Sequence, residues 1–232
     1  AFTARYYQRS LGEIAATALP PALRKLSNAQ LLRRLQAKKQ AAQTVPEQEK
    51  LVALTAEQQS VISQIEQNCG PFLLYGSTGS GKTEVYLHTV AAALAADPQA
   101  QALVLVPEIN LTPQLLARFE RRFAPTLGPQ AVASLHSGLT EAQRLKHWLA
   151  AHTGQARIVL GTRMAVLASL PQLKIIVVDE EHDPSFKQEE GARYSARDLA
   201  LWRGRDAGAK GILGSATPPL ESWYACQHGR YQ

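Results

Sequence analysis

Cysteine is scarce in this chain, which contains two among its 232 residues, Cys69 and Cys226. They form no CxxC motif and have no metal-ligand spacing, so neither a disulfide framework nor a zinc site is expected. A reducing compartment fits this low content best. The sequence also has no apolar run long enough to cross a bilayer, and residues 1–10 lack the pattern of a signal peptide. These absences predict a cytoplasmic protein with no membrane partner.

Acidic residues are few in the first 50 positions, which hold three Asp or Glu against nine Lys or Arg. The remaining positions hold 16 of each sign, so the formal net charge of +6 belongs to the amino-terminal segment. A basic excess favours an acidic partner, nucleic acid first. A solvated helix face with loose charges is an equally open alternative. The length and the 45% hydrophobic content suit one large domain with a small appendage.

A glycine-rich loop, GSTGSGKT at 76–83, follows the apolar run 72–75 and precedes the helical segment 84–94. Strand, loop and helix in this order are typical of a P-loop, where backbone N–H groups surround a polyphosphate at the helix N-terminus. Lys82 is expected to reach the β- and γ-phosphates, and the Thr83 hydroxyl to hold Mg²⁺. These flanks disfavour a chance turn, so the sequence predicts a nucleoside triphosphate site. Its expected ligands are Gly76, Ser77, Thr78, Gly79, Ser80, Gly81, Lys82 and Thr83.

Two further motifs follow apolar strands. The run 175–182, IIVVDEEH, ends in carboxylates, of which Asp179 is expected to position Mg²⁺ and Glu180 to polarise the attacking water. An exposed acidic turn is the alternative, which the P-loop disfavours. The segment GSATP at 214–218 offers hydroxyls that can bond to His182 and report on the γ-phosphate, although alone it is an ordinary turn. Lys82, Asp179, Glu180 and His182 are the predicted catalytic residues.

Short apolar strands alternate with helical segments from residue 55 onwards. The strand candidates are 72–75, 102–106, 131–136, 157–161, 175–179 and 211–214. Helices are predicted over 111–123, over 140–152 and from Thr55 to about Gln67, the last with capping-box spacing between Thr55 and Gln58. This alternation predicts an α/β fold with a mostly parallel sheet and helices on both faces. Functional groups are then expected at the carboxyl ends of the strands.

The amino-terminal segment has a different pattern. A helix is predicted from Ala22 to about Gln43, with leucines on one side and basic residues over much of the rest. The turn at 44–46 ends it, and 47–54 is a short connector. We therefore predict a small basic helical segment at 1–50 and an ATP-binding lobe at 51–232.

The motifs GSTGSGKT, DEEH and GSATP, in this order, resemble the first motor lobe of superfamily 2 helicases, which implies a RecA-like P-loop lobe. Longer stretches at 106–114, 135–139, 161–163 and 186–198 are similar to the primosomal replication-restart DNA helicases of that superfamily. The resemblance covers roughly 52–232, and residues 6–25 resemble the end of the family's DNA-binding region. It implies an ATP-dependent helicase that moves 3′ to 5′ and reopens stalled forks, with ATP and Mg²⁺ as cofactors. Its implied partners are single-stranded and forked DNA, replication-restart proteins and single-strand-binding proteins.

The resemblance also implies roles for individual residues. Gln58 stands where such helicases read adenine, which is compatible with its capping role. Strand-end loops are expected to hold the backbone of single-stranded DNA, with Thr112 and Thr162 on phosphates; Arg163 is either a DNA contact or a structural ion-pair partner. The loop around 186–197 is expected to couple DNA to ATP hydrolysis by base stacking. The predicted nucleic-acid residues are Thr112, His136, Thr162, Arg163, Phe186, Arg193, Tyr194 and Arg197.

Three departures from the family pattern matter. Ala192 stands where some relatives have tryptophan, and 28–54 is too short for their winged helix. A second lobe, its arginine finger and the zinc-binding cysteines have no counterpart here, so zinc is expected only in another part of a parent protein. Weak ATP binding and little hydrolysis are expected of this chain alone. Another superfamily 2 DNA translocase and a non-catalytic module that docks nucleic acid or replisome proteins remain alternatives; the DEEH and GSATP motifs disfavour a nucleotide kinase.

Overall fold

Six short apolar strands form one sheet in the computed structural model, which describes residues 1–36 and 53–232. The strands lie in the order β1-β6-β5-β2-β4-β3, and every neighbouring pair is parallel. Their bounds are β1 Phe72–Tyr75, β2 Gln101–Leu105, β3 Val132–Leu135, β4 Ile158–Gly161, β5 Leu173–Val178 and β6 Lys210–Ser215. All six predicted strands are confirmed, with ends shifted by at most two residues.

Helices cover both faces of the sheet, so central strands such as β2 are buried on both sides. One apolar core packs Ile62, Val85 and Phe119 against the sheet, and the other packs Phe186 and Leu199 against the opposite face. The helices are α1 Phe2–Tyr6, α2 Leu11–Ala18, α3 Pro21–Arg24, α4 Asn28–Gln36, α5 Ala56–Gln67, α6 Lys82–Ala96, α7 Pro113–Leu127, α8 Glu141–His152, α9 Ala196–Ala207 and α10 Leu220–Gln227. The predicted fold class is confirmed. In the described ranges, none of the helices has the length and apolarity needed to span a bilayer.

The prediction of one continuous helix from Ala22 to about Gln43 is wrong in its described part, because the helix is interrupted between the end of α3 at Arg24 and the start of α4 at Asn28. Ser27 caps α4: its hydroxyl accepts from the N–H of Gln30 at 3.3 Å, and the Gln30 side chain accepts from the N–H of Ser27 at 3.0 Å. This reciprocal pair satisfies the first free donors of a new helix, so the turn is favoured over a continuous helix. The rest of that helix, the turn at 44–46 and the predicted domain boundary lie outside the described residues.

The amino-terminal helices pack on the lobe beside the segment 186–198. The ring of Phe2 stacks on Trp202, with centroids 4.1 Å apart. The N–H of Ser195 donates to the Tyr7 hydroxyl at 3.1 Å. Ala4 and Ile14 form a small buried cluster with Ala192. The small side chain at 192 therefore leaves room for these helices, where a tryptophan would collide with them.

Tyr7→Phe is expected to lower the free energy of unfolding by about 1 kcal/mol, because a half-buried backbone N–H loses its acceptor. Urea denaturation measures the change. Tyr6→Phe is the matched control, because Tyr6 is 63% exposed and its ring contacts survive the substitution. Equal stability of the two variants would contradict a docked amino-terminal segment.

Candidate nucleotide site

The glycine-rich loop connects the end of β1 to the start of α6. Gly79 and Gly81 have φ angles of 81° and 85°, a left-handed region that side chains other than glycine rarely adopt. The turn brings the Lys82 side chain back over the loop. Its amino group donates to the carbonyls of Gly76 at 2.8 Å and Ser77 at 3.2 Å, and the residue is 8% exposed. The loop is thus closed around a buried cation, which suits an anionic ligand.

Gln58 touches this loop while it caps α5. Its side-chain oxygen accepts from the N–H of Thr55 at 3.0 Å, and the Thr55 hydroxyl accepts from the N–H of Gln58 at 3.2 Å, which confirms the capping box. The amide nitrogen of the same side chain points to the carbonyls of Ser80 and Gly81, at 3.4 and 3.5 Å. One side chain therefore carries a capping acceptor and a donor beside the P-loop.

Gln58→Glu separates these two roles, because a carboxylate keeps the capping acceptor and loses the amide donor. If Gln58 reads adenine, ATP affinity is expected to fall about tenfold with little loss of stability, the size of one lost hydrogen bond. Titration with ATP and GTP measures the effect, and the preference for ATP should shrink. The control is Thr55→Ala, which weakens the cap by about 1 kcal/mol and keeps the amide. A larger loss of ATP affinity in Thr55→Ala would contradict the adenine role.

The acidic motif meets the P-loop at the carboxyl edge of the sheet. An Oε1 atom of Glu180 lies 3.8 Å from the Nζ of Lys82. Asp179 follows β5, which is not adjacent to β1, because β6 lies between them. The chain compensates by carrying Lys82 across the end of β6. Glu180 has a φ of 47°, a left-handed conformation uncommon for a side-chain residue, and such conformations are often found in functional sites.

A tyrosine that was not among the predicted site residues also connects the P-loop helix to the acidic motif across β6. The hydroxyl of Tyr86, in α6, donates to Oδ1 of Asp179 at 2.9 Å. Burial raises the pKa of Asp179, while the hydrogen bond from Tyr86 opposes that rise. From the sequence alone, a tyrosine in the second turn of the helix after a P-loop is indistinguishable from an ordinary core residue, so its role could not be predicted.

His182 is bonded to the last strand, as predicted. Its Nδ1 lies 2.8 Å from the Ser215 hydroxyl and 3.6 Å from Oε2 of Glu180. The N–H of Thr217 donates to the same hydroxyl at 3.0 Å. A buried serine thus connects the acidic motif to the turn at 214–218. His182 thus contacts both Glu180 and the serine that is hydrogen-bonded to that turn.

Glu181, the motif's other glutamate, faces inward and was not predicted as a site residue. Its Oε2 accepts from the Ser222 hydroxyl at 3.0 Å and lies 3.4 Å from a guanidinium nitrogen of Arg197. Burial raises the pKa of the Glu181 carboxyl. Arg197 also bonds to Asp198 at 3.0 Å. The Arg197 charge, expected on DNA, is held by two carboxylates in this structure.

The residues predicted to contact nucleic acid divide into buried and exposed groups. Phe186 and Tyr194 are 2% and 4% exposed and belong to the apolar core, so neither ring has a free face for a stacked base. Burial raises the pKa of Tyr194 to about 12. Thr162 is also buried. These three positions shape the strand-end loops from within.

Arg163 holds the segment 184–187 in place. Its guanidinium donates to the carbonyls of Ser185 at 2.7 Å and Lys187 at 3.0 Å, and it is also hydrogen-bonded to the Tyr194 side chain. Among the described residues it forms no ion pair with a carboxylate. Thr112 is exposed and caps α7, where its hydroxyl accepts from the N–H of Leu115. His136 is half-buried and Arg193 exposed. Of the predicted nucleic-acid residues, Thr112 and Arg193 are thus exposed, and His136, Arg163 and Arg197 are half-buried.

The oxygen ligands at this edge suit Mg²⁺. A hydroxyl from Thr83 and a carboxylate from Asp179 are hard donors, and Mg²⁺ usually takes only one or two protein ligands beside phosphate oxygens and water. Within the described ranges no group of three or more His, Cys, Asp or Glu forms a complete metal cage. That arrangement fits a metal that arrives with a polyphosphate.

Comparison with curated proteins finds relatives among replication restart proteins. The chain is 43% identical over 184 residues to the replication restart protein PriA of Bacillus subtilis, and 44% identical over 186 residues to that of Haemophilus influenzae. These alignments cover 77% and 79% of the chain and 22% and 24% of the relatives, so the chain spans about a quarter of their length.

Solved structures share the fold at low identity. The DEAD-box helicase Mss116 bound to single-stranded RNA and UDP-BeF aligns with a TM-score of 0.56 at 18% identity, over 77% of this chain and 38% of that one. The DUF1998 helicase MrfA bound to DNA and AMPPNP aligns with a TM-score of 0.54 at 19% identity, over 72% and 24%. A family model for the DEAD/DEAH box helicases matches residues 55–224. The chain therefore belongs to the DEAD/DEAH box helicase family.

Proposed function

We propose that this chain is the ATP-binding lobe of an ATP-dependent DNA helicase that moves 3′ to 5′ and remodels forked DNA to restart replication. The observation that carries the proposal is the approach of Lys82 to Glu180, 3.8 Å apart across the end of β6. A triphosphate on the loop would place its γ-phosphate between these two side chains. The similarity to PriA proteins supports the replication role.

Each residue at this edge has a distinct task in the proposal. Lys82 neutralises the β- and γ-phosphates, and Glu180 orients the attacking water and takes up its proton. Thr83 and Asp179 would hold Mg²⁺, which neutralises charge on the transferring group when bound. His182 passes the state of Glu180 to Ser215 through the 2.8 Å contact.

The DNA side of the proposal rests on the strand-end loops. Thr112, His136 and Arg193 would contact the phosphate backbone of single-stranded DNA, which positions the strand without reading its sequence. Arg163, Phe186 and Tyr194 would shape the coupling segment. Replication-restart and single-strand-binding proteins are the expected partners in the cytoplasm, and zinc is expected only in another part of a longer parent.

The test is ATP hydrolysis by the longer parent protein with and without forked DNA, over a salt series. DNA should stimulate turnover, and affinity for DNA should fall steeply with salt if the basic amino-terminal segment contacts phosphates. Unwinding should require a 3′ single-stranded tail on the loading strand. An ATP hydrolysis rate that is the same with and without DNA would overturn the helicase proposal and favour a docking module. Hydrolysis that DNA stimulates without unwinding would favour a translocase.

A further inference from the structure

The two halves of the site are carried by strands that do not touch. The P-loop follows β1, Asp179 follows β5, and β6 lies between them. A direct buried contact between the P-loop side of the site and Asp179 therefore requires a polar side chain that crosses β6. Tyr86 does so: its ring is 2% exposed, and its hydroxyl donates to Oδ1 of Asp179 at 2.9 Å.

The crossing point is the glycine at position 214. A side chain there would overlap the Tyr86 hydroxyl, and its Cβ would lie 2.8 Å from Cζ of that ring and 3.4 Å from Oδ1 of Asp179. The backbone of β6 thus passes the tyrosine at a distance that only glycine allows. The missing side chain at Gly214 leaves the space that the Tyr86 hydroxyl occupies, and the hydrogen bond to Asp179 crosses β6 beside that glycine.

We propose that Tyr86 is a positioning residue for magnesium, whose hydroxyl fixes the Asp179 carboxylate so that its second oxygen is available to the metal or its waters. The inference rests on the proposed function, because it requires Asp179 to serve Mg²⁺. A carboxylate with one oxygen held has a single orientation, and outer-sphere partners of this kind commonly change metal affinity by tenfold or more.

Glu180 and Lys82 are the other charged groups near the Asp179 carboxylate. Tyr86 is the hydroxyl donor among them, and its burial keeps water from competing for the bond. A buried tyrosine hydroxyl requires an acceptor in any case, so a magnesium-dependent effect of its loss is what distinguishes a positioning role from a structural one.

The test compares ATP affinity of the chain in EDTA and in excess MgCl₂, with Tyr86→Phe against the unchanged chain. The ratio of the ATP dissociation constant in EDTA to that in MgCl₂ measures the contribution of magnesium. Because both constants come from the same preparation, any unfolded fraction affects them equally and cancels in the ratio. Tyr86→Phe is expected to shrink this ratio about tenfold, with affinity in EDTA unchanged, which is the lower end of the effect of an outer-sphere partner.

Two further variants tie the effect to its cause. Tyr7→Phe is the matched control, since it also removes one hydrogen-bonded tyrosine hydroxyl, but away from the P-loop; its ratio should equal that of the unchanged chain. In an Asp179→Asn background, Tyr86→Phe should have no further effect on the ratio, because the metal ligand is already lost.

The outcomes separate this inference from the proposed function. If the unchanged chain binds ATP equally well in EDTA and in magnesium, both the proposed magnesium–nucleotide site and the inference about Tyr86 are overturned. Normal magnesium dependence in Tyr86→Phe would overturn the inference alone. An equal loss of affinity in EDTA and in magnesium would also overturn it, because the tyrosine would then support the loop and not the carboxylate.

Discussion

Lys82→Ala is expected to lower ATP hydrolysis by a factor of about 100 to 1,000 in a protein that contains both motor lobes. In the described part of the chain, the salt-bridge partners of Glu180 within 4 Å are the Lys82 amino group and the His182 ring, and the amino group is placed for the γ-phosphate. Loss of one fixed group that stabilises charge in the transition state has an effect of this size. Steady-state ATPase assays with saturating DNA measure it, with ATP binding measured in parallel.

Lys174→Ala is the matched control for the loss of a lysine. Lys174 is exposed and lies 3.9 Å from Asp97, in an ion pair that contributes little to stability. Its hydrolysis rate should equal that of the unchanged protein. Full replication-restart function in Lys82→Ala would contradict a motor and favour the docking alternative.

Gly214→Ala is expected to destabilise the chain by about 3 kcal/mol. The new methyl group would occupy the space of the Tyr86 hydroxyl, and both the strand and the ring are buried, so neither can move freely. Urea denaturation measures the loss. Gly211→Ala is the matched control on the same strand, because its Cβ would meet Pro71 and Leu201 at ordinary contact distances of 3.7 and 3.8 Å. Similar losses in the two variants would contradict the steric explanation.

A double variant tests whether the tyrosine is the obstacle. Tyr86→Phe removes the overlapping oxygen, so Gly214→Ala should cost less in that background than in the unchanged chain. Relief should be partial, because Cζ of the ring remains 2.8 Å from the added atom. Strict additivity would show that the strain at Gly214 has another source.

The sequence was sufficient for features that depend on neighbours along the chain. Apolar runs defined the strands, and the spacing of Thr55 and Gln58 defined a cap that the structure contains. The P-loop and the DEEH motif were recognisable because their chemistry requires fixed residue types at fixed spacing. The order of the strands was not recognisable, since nothing local in β6 shows that it lies between β1 and β5.

Contacts between distant residues account for what the sequence could not provide. Tyr86 and Asp179 are 93 positions apart, and Glu181 and Ser222 are 41 apart. Aromatic residues such as Phe186 are equally typical of a stacking surface and of a core, so their burial was not predictable from type or spacing. Only the packing of the amino-terminal helices over Ala192 determines which side of that segment faces solvent.

The shared acceptor at Glu181 has a mechanical consequence. Ser222 belongs to α10 and Arg197 to α9, yet both approach one carboxylate oxygen, at 3.0 and 3.4 Å. A carboxylate oxygen has two lone pairs and can accept from both donors at once. Glu181 therefore ties the starts of α9 and α10 to the acidic motif, so a displacement of either helix would be transmitted to the turn that carries Asp179 and Glu180.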